Sequence, residues 1–408
     1  MAKFENHESK PQKKALILNA SHNDMRMIQA LKALGYYVIT IGQNPGLIGE
    51  KYADEYICQD YSDEEATLAL AKGLNIDAIC SCCNDFGVLT AAYVAERLKL
   101  PGHDSYEVAQ VLHHKDRFKS FARELGIKTP LARVFISPQA ALEWIKFHGE
   151  YPLMVKAPDL SAGNGITKVC RWQEARPAVE LAFEKSRTKS IVVEPYIEGT
   201  QHAICTFLID RKVVAACSNN EYSFINPYRV EIDTFPADGI EALQDRLIAE
   251  IEKMAEALHL TDGIFEMQYH MTPDGDFWIM ECMRRVLGNL YSIPSSSLMG
   301  FNWDYWEVRA RCGLGCRDFP LHAQPSGFFA YRALIAEKNG IYKSLNVADS
   351  VRQYIVETCM LQDFGYEIRN HKSDPMGFLF FSFPDRETMD SVMVDQYRNV
   401  KVEVEELL

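Results

Sequence analysis

The segment GIFEMQYHMTPDGDFWIMECMRR (residues 263–285) gathers oxygen donors at a spacing that could hold a hard cation. Asp274-Gly275 suits the positive φ angles of a two-residue type I′ turn. That turn sets Pro273 opposite Asp276, Gln268 opposite Glu281 and Glu266 opposite Met283. Side chains alternate along a strand, so Glu266, Gln268 and Glu281 share one face, and Phe265, Met267, Tyr269, Met280 and Cys282 take the other as core. Two carboxylates and an amide on one face cost free energy through repulsion and desolvation unless a cation or donor offsets it. Such oxygens suit magnesium, which takes one or two carboxylates and completes its shell with water and phosphate oxygens. Taken alone, a hairpin of this kind is more often a solvated outer face.

Two lysines stand upstream in suggestive places. Lys156 ends the apolar run YPLMVK and precedes a loop of small residues, Ser161 to Gly165, whose backbone N–H groups could approach a phosphate closely. Lys115 begins a helix forty-one positions earlier. The loop lacks G-x-x-x-x-G-K-[ST] and opens into a strand, and a single such lysine is more often an edge residue that snorkels. Cys80, Cys82 and Cys83 have no second pair at zinc-ligand spacing, and eleven cysteines in a long chain read as reduced thiols.

These side chains need a scaffold. From Lys14 the pattern alternates strand and helix (ALILNA, Met25 to Leu34, YYVITI, a helix capped by Ser62 and Glu65, IDAICSCC), which predicts a small parallel α/β domain over residues 1–112. Its first turn lacks the G-x-G-x-x-G of a dinucleotide site. Residues 113–320 read as mainly antiparallel strands, with a tight Asp210-Arg211 turn and one long helix carrying Ile240, Leu243, Leu247, Ile251, Met254 and Leu258 on one stripe. Residues 321–408 form a small α+β lobe with a buried strand at Phe378 to Phe383. The chain thus mixes α/β and α+β classes. A net charge of −13 excludes general nucleic-acid binding, and no window of the chain could cross a membrane as an apolar helix. With no secretion signal, the cytoplasm is the expected location.

The order of these motifs resembles the ATP-grasp superfamily. His114-Lys115-Asp116 with Gly126-Ile127-Lys128-Thr129-Pro130 matches its lysine-and-Asp helix ending G-I-x-x-P, and Pro152 to Ala157 matches P-x-x-V-K-P except at the last position. Glu194-Pro195-Tyr196-Ile197-Glu198-Gly199 matches the hinge, and Glu281-Cys282-Met283-Arg284-Arg285 matches E-x-N-x-R in part. The resemblance covers about residues 14 to 320 and implies a two-lobed nucleotide-binding domain. It assigns Lys115 and Lys156 to the phosphates of ATP, Ser161, Gly163 and Gly165 to a loop closing over them, and the backbone of Glu194, Tyr196 and Ile197 to adenine. Gln201 stands where a ribose-binding glutamate is usual. Gln268 and Glu281 fall on the two metal positions for Mg2+ (or Mn2+), and Arg285 on the catalytic arginine facing the transferred phosphoryl group. Met283 replaces the expected asparagine, and a thioether is a poor ligand for magnesium; Glu266, across from it, could supply the missing oxygen.

The resemblance implies an ATP-dependent ligase joining a carboxylate, an amino acid or small acid, to an amine through an acyl phosphate. Arg229, Arg284, Asn289 and Ser292 are candidates for gripping these substrates. Carbamoyl-phosphate-like, carboxylation or purine-pathway chemistry on the same scaffold is the first alternative, and a nucleotide-binding sensor with a degenerate metal site is the second. Expected partners are small molecules and a second copy in a homodimer, with no nucleic acid or membrane.

Overall fold

Parallel order comes first along the chain. In the computed structural model, which describes residues 12–406 apart from 149, 161, 162, 164 and 322, strands β1 (Lys14–Leu18), β2 (Tyr37–Gly42), β3 (Glu55–Cys58) and β4 (Ala78–Cys80) form an all-parallel sheet in the order β3-β2-β1-β4. β1 and β4 are almost wholly apolar and buried, as expected of strands covered on both faces. The helix over Glu64–Leu74 is capped by Asp63, which accepts from the Ala66 N–H at 3.0 Å; the expected cap, Ser62, bonds Asp60 instead.

A second, antiparallel sheet has the order β5-β8-β6-β7, from β5 (Arg133–Phe135), β6 (Leu153–Lys156), β7 (Ile166–Val169) and β8 (Ile191–Pro195). Period-two alternation splits its faces. Leu153, Val155, Ile191 and Val193 pack under the helices Pro138–His148 and Ala175–Lys185, while Met154, Lys156, Val192 and Glu194 face a cavity.

The third sheet, also antiparallel, is the floor of that cavity. Its strands are β9 (Thr200–Ile209), β10 (Lys212–Tyr222), β11 (Ile232–Phe235), β12 (Gly263–Met271), β13 (Phe277–Met283) and β14 (Phe328–Ala333), followed along the chain by β15 (Gly340–Val347), β16 (Ile355–Met360), β17 (Glu367–Ile368), β18 (Gly377–Phe383) and β19 (Val400–Glu405). The order is β13-β12-β9-β10-β11-β14-β18-β16, and β17-β15-β19 form a small sheet apart. The long helix Ile240–Ala257 presses Leu243, Leu247, Ile251 and Met254 onto Ile204, Leu208, Phe265 and Met267, covering one face of β9 and β12 and leaving the other to the cavity. Among the described residues, no helix is long and apolar enough to cross a membrane.

One of the two expected tight turns forms and the other does not. Asp210 and Arg211 both have positive φ (49° and 64°) and join Ile209 to Lys212 as a two-residue loop. At the acidic hairpin only Gly275 has positive φ (78°), Met271 pairs with Phe277, and the Thr272 N–H bonds the Asp276 carbonyl at 2.8 Å, so the expected type I′ turn is absent. A bulge at Met280 then shifts the ladder by one, and the expected pairs form: Gln268 opposite Glu281, Glu266 opposite Met283. Ile279 takes the core place expected of Met280, and the bulge turns Met280 to the cavity lining.

Candidate functional site

A cavity of about 490 Å³ lies between the second sheet, the third sheet and the first parallel unit. Its charged lining divides into two halves.

In one half every acid has a cation. The helix Lys115–Glu124 presents Lys115 and, one turn on, Lys119 on the same side. Lys115 Nζ donates to the Leu160 carbonyl at 2.9 Å and lies 3.2 Å from Glu281 Oε2. Lys119 Nζ donates to Thr129 Oγ1 at 2.7 Å and lies 3.4 Å from Glu194 Oε2, while Lys156 ion-pairs with Glu194 Oε1. Burial drives the Lys119 ammonium down to about 8, aided by neighbouring Lys156 and opposed by Glu194. Burial likewise favours a neutral Glu194, but the two lysines outweigh it and hold the carboxyl below its ordinary value.

Arg285 completes this half. Its Nε donates to Asp85 Oδ1 at 3.0 Å, and His113 Nδ1 reaches the same oxygen at 3.1 Å. His113 Nε2 accepts the Arg284 backbone N–H at 3.3 Å, which leaves the proton on Nδ1 to donate to Asp85. Burial alone would raise Asp85, yet Arg285, His113 and Lys115 hold it far below the usual carboxylate range. The far side of the guanidinium rests against Met283 Sδ at 3.1 Å.

The other half holds acids without cations. Glu221, Asp233 and Glu266 are each at most 9% exposed, and among the described residues none has an ion-pair partner. Gln268 Nε2 donates to both Glu221 oxygens (2.9 and 3.0 Å), and Gln201 Nε2 donates to Oε2 at 2.5 Å. Burial pushes Glu221 up to about 7 despite those bonds, with Glu281 adding repulsion. Glu266 and Asp233 are also pushed up, by burial first and by neighbouring acids second. Glu266 does sense Arg285, which partly opposes that rise.

Most of the sequence-derived residues meet here. Lys115, Lys156, Gly163, Glu194, Tyr196, Ile197, Gln201, Arg229, Glu266, Gln268, Glu281, Arg285 and Asn289 all line the cavity. Gly163 has φ +74°, and a Cβ there would lie 2.5 Å from the Tyr228 carbonyl oxygen, so only glycine fits. Gly165 lies outside the lining, its carbonyl accepting the Ala157 N–H at 3.0 Å, and Ser161 lies outside the described residues. The hinge differs in detail from expectation. Tyr196 N–H is already given to the Pro152 carbonyl at 3.0 Å, and Ile197 O accepts from His270 Nδ1 at 3.0 Å.

Two substrate candidates are corrected. Arg284 points away from the cavity into a buried cluster, with Nε 2.8 Å from Asp104 and further bonds to the Ile264 and Thr261 carbonyls, because successive side chains leave opposite faces. Ser292 is buried at the start of the helix Ser292–Met299, beside Asp304, and does not reach the lining. Sequence reading missed Lys119, Asp85, Glu221, Asp233 and Tyr331. Only Lys119 carried a signal, its i+4 spacing from Lys115.

Comparison with known proteins fits this architecture. Residues 113–227 match the family model "Phosphoribosylglycinamide synthetase, ATP-grasp (A) domain". The L-amino acid ligase of Bacillus licheniformis superposes over 98% of this chain and 100% of its own with a TM-score of 0.81 at 18% identity. The chain has the ATP-grasp fold. The phosphoribosylglycinamide synthetase of Anaerococcus prevotii shares this ATP-grasp architecture at TM-score 0.75 and 20% identity, covering 97% of this chain and all of its own. Among curated sequences, cyanophycin synthetase of Synechocystis sp. is 32% identical over 117 residues, 28% of this chain. That match spans only 13% of the relative's length. The matched family segment carries Lys115, Lys119, Lys156, Glu194 and Glu221, while Gln268, Glu281 and Arg285 lie beyond it.

Proposed function

We propose that the chain is an ATP-dependent carbon–nitrogen ligase that activates a carboxylate as an acyl phosphate and passes it to an amine. The observation that carries this reading is the convergence of Lys115, Lys119, Lys156 and Arg285 on one cavity with Gln268 and Glu281 opposite each other at its floor. A carboxylate oxygen would attack the γ-phosphorus of ATP, and the bond to the bridging oxygen would break with ADP leaving. The amine nitrogen would then attack the acyl carbon, the C–O bond to phosphate would break, and the amine would release its proton to solvent. Such transfers depend on positioning and charge neutralisation, so no covalent protein nucleophile is required. Lys115, Lys119 and Lys156 would bind phosphates, and Arg285, held rigid by Asp85, would stabilise charge developing on the transferred group.

The donor set suits magnesium or manganese. Magnesium takes one or two carboxylates and keeps water and phosphate in the rest of its shell. Glu281, Gln268 and the unpaired Glu266 would hold it, with Glu266 giving the oxygen that Met283 cannot. The bound ion would supply charge neutralisation at the phosphates. The biotin carboxylase domain from Hydrogenobacter thermophilus, on the same fold, was solved with MgADP, which supports magnesium as the ion.

A panel of amino acids and other carboxylates, each with and without an amine, tests the ligase reading by release of ADP and phosphate. Turnover that needs both an acid and magnesium is expected. Tight ATP binding with no ADP release under any combination would favour the sensor instead.

A further inference from the structure

We infer that Asp233 is an ammonium-recognition site, so that the acid taken into this cavity is a zwitterionic amino acid and not a plain carboxylic acid. This rests on the ligase reading for which end of the molecule reacts, but the site itself is read from the cavity wall.

Asp233 is 2% exposed, lines the cavity, and its Oδ1 has no hydrogen-bond partner among the described residues. A buried carboxylate oxygen left unmet costs free energy, and proteins rarely retain one without a function for it. Its place in the sheet shows what it could meet. Asp233 pairs across β10–β11 with Glu221 and across β11–β14 with Tyr331, so all three side chains leave the same face. The Tyr331 hydroxyl accepts from Asn289 Nδ2 at 3.1 Å, which frees its own hydrogen for the acidic side. The result is a corner with two carboxylates and, among the described residues, no ion pair to either; Arg229, also in the lining, gives its guanidinium to the Ser373 carbonyl.

The proposed magnesium does not account for Asp233. Glu266, Gln268 and Glu281 stand on β12 and β13, whereas Asp233 stands on β11 with β9 and β10 between, and its direct neighbours are Glu221 and Tyr331. What does fit is a group with several donors and a positive charge carried on the substrate itself. A primary ammonium has three N–H donors and one charge. With the ammonium at Asp233 and Glu221, the same molecule's carboxylate would point toward Arg285 and the lysines, the end where phosphoryl transfer is proposed. The polarity of the cavity, cationic at one end and anionic at the other, thus matches a zwitterion.

The test uses the full-length chain loaded with a nonhydrolysable ATP analogue and magnesium. The common amino acids and their desamino counterparts, in which hydrogen replaces the ammonium, are titrated by calorimetry. At least one amino acid should bind about 10- to 100-fold more tightly than its desamino counterpart, the worth of a hydrogen bond to a charged group. Asp233→Asn should collapse that ratio toward one. It should also raise the thermal midpoint of the ligand-free chain, because an unmet buried charge is removed. A residue holding the fold together would lower the midpoint. Equal binding of both members of every pair, no binding by either, or an unchanged ratio in Asp233→Asn would each overturn the proposal. Turnover with ATP, followed separately as ADP release, judges the ligase reading: ammonium-dependent binding without turnover would retain this site and discard that reaction.

Discussion

The two halves of the cavity contain similar numbers of acids and treat them in opposite ways. Glu194, Glu281 and Asp85 each touch a lysine or arginine and are held below their ordinary pKa, whereas Glu221, Asp233 and Glu266 lack such partners and are pushed above theirs. Glu194, Glu221, Asp233 and Glu266 are all buried, yet Glu194 alone among them is pushed down, so the presence of a cation decides the sign. A fold selected for stability alone would pair both halves. On the proposed reading, the unpaired half would receive positive charge brought from outside, and the paired half would keep its cations preorganised for phosphates without letting them repel one another.

The largest expected break in this contrast is Arg285→Ala. Asp85 would lose its charge partner and Glu266 the one cation that eases its burial, so the chain should lose about 3 kcal/mol of stability, read as a drop in thermal midpoint. Ligase turnover should fall by roughly 100- to 1000-fold, as when one donor to a developing oxyanion is removed. Asp85→Asn should lower turnover less while retaining much of the Arg285 charge, which separates positioning from charge.

A smaller, more diagnostic pair applies one chemical change to each half. Glu194→Gln leaves Lys119 and Lys156 buried beside each other without compensation and should cost about 3 kcal/mol. Glu266→Gln removes an acid that burial already disfavours and should stabilise the ligand-free chain by about 1 kcal/mol. Thermal midpoints moving in opposite directions support the contrast; a drop in both would show that the unpaired acids are structural. Glu266→Ala, titrated with magnesium, sharpens it further: an unchanged magnesium requirement would remove Glu266 from the metal set.

The sequence exposed the chemistry on single elements better than the chemistry assembled between them. The acidic face of β12 and β13 was legible because alternation fixes faces, and the register came out as expected although its turn did not: the longer loop at Thr272–Asp276 and the bulge at Met280 offset each other by one residue. Lys115 and Lys156 were visible through motif order. Asp233 was not, because a loop separates β11 from β10 and nothing local announces that Asp233 will stand opposite Glu221. Asp85 was hidden for the same reason, since it reaches Arg285 from 200 positions away. Arg284 illustrates the converse error: it neighbours Arg285 in sequence and faces a different environment in space.

Lys119 offers the smallest effect and a pH test of the paired half. Its ammonium is pushed down to about 8, well below the 10.5 of an unburied lysine. Between those values the unfolded chain holds the proton and the folded chain does not, so this residue destabilises the fold at neutral pH and the cost is relieved as pH rises from 8 to 10.5. Binding follows the other direction. Phosphates placed against Lys119 favour the charged form, so the Lys119 contribution to ATP affinity should be flat below pH 8 and fall above it, by up to about tenfold per pH unit. Lys119→Met should bind ATP more weakly at pH 7 and lose that slope between pH 8 and 9, measured by titration at each pH. A slope that persists in Lys119→Met would move the titrating group elsewhere and leave Lys119 as a structural partner of Glu194 alone.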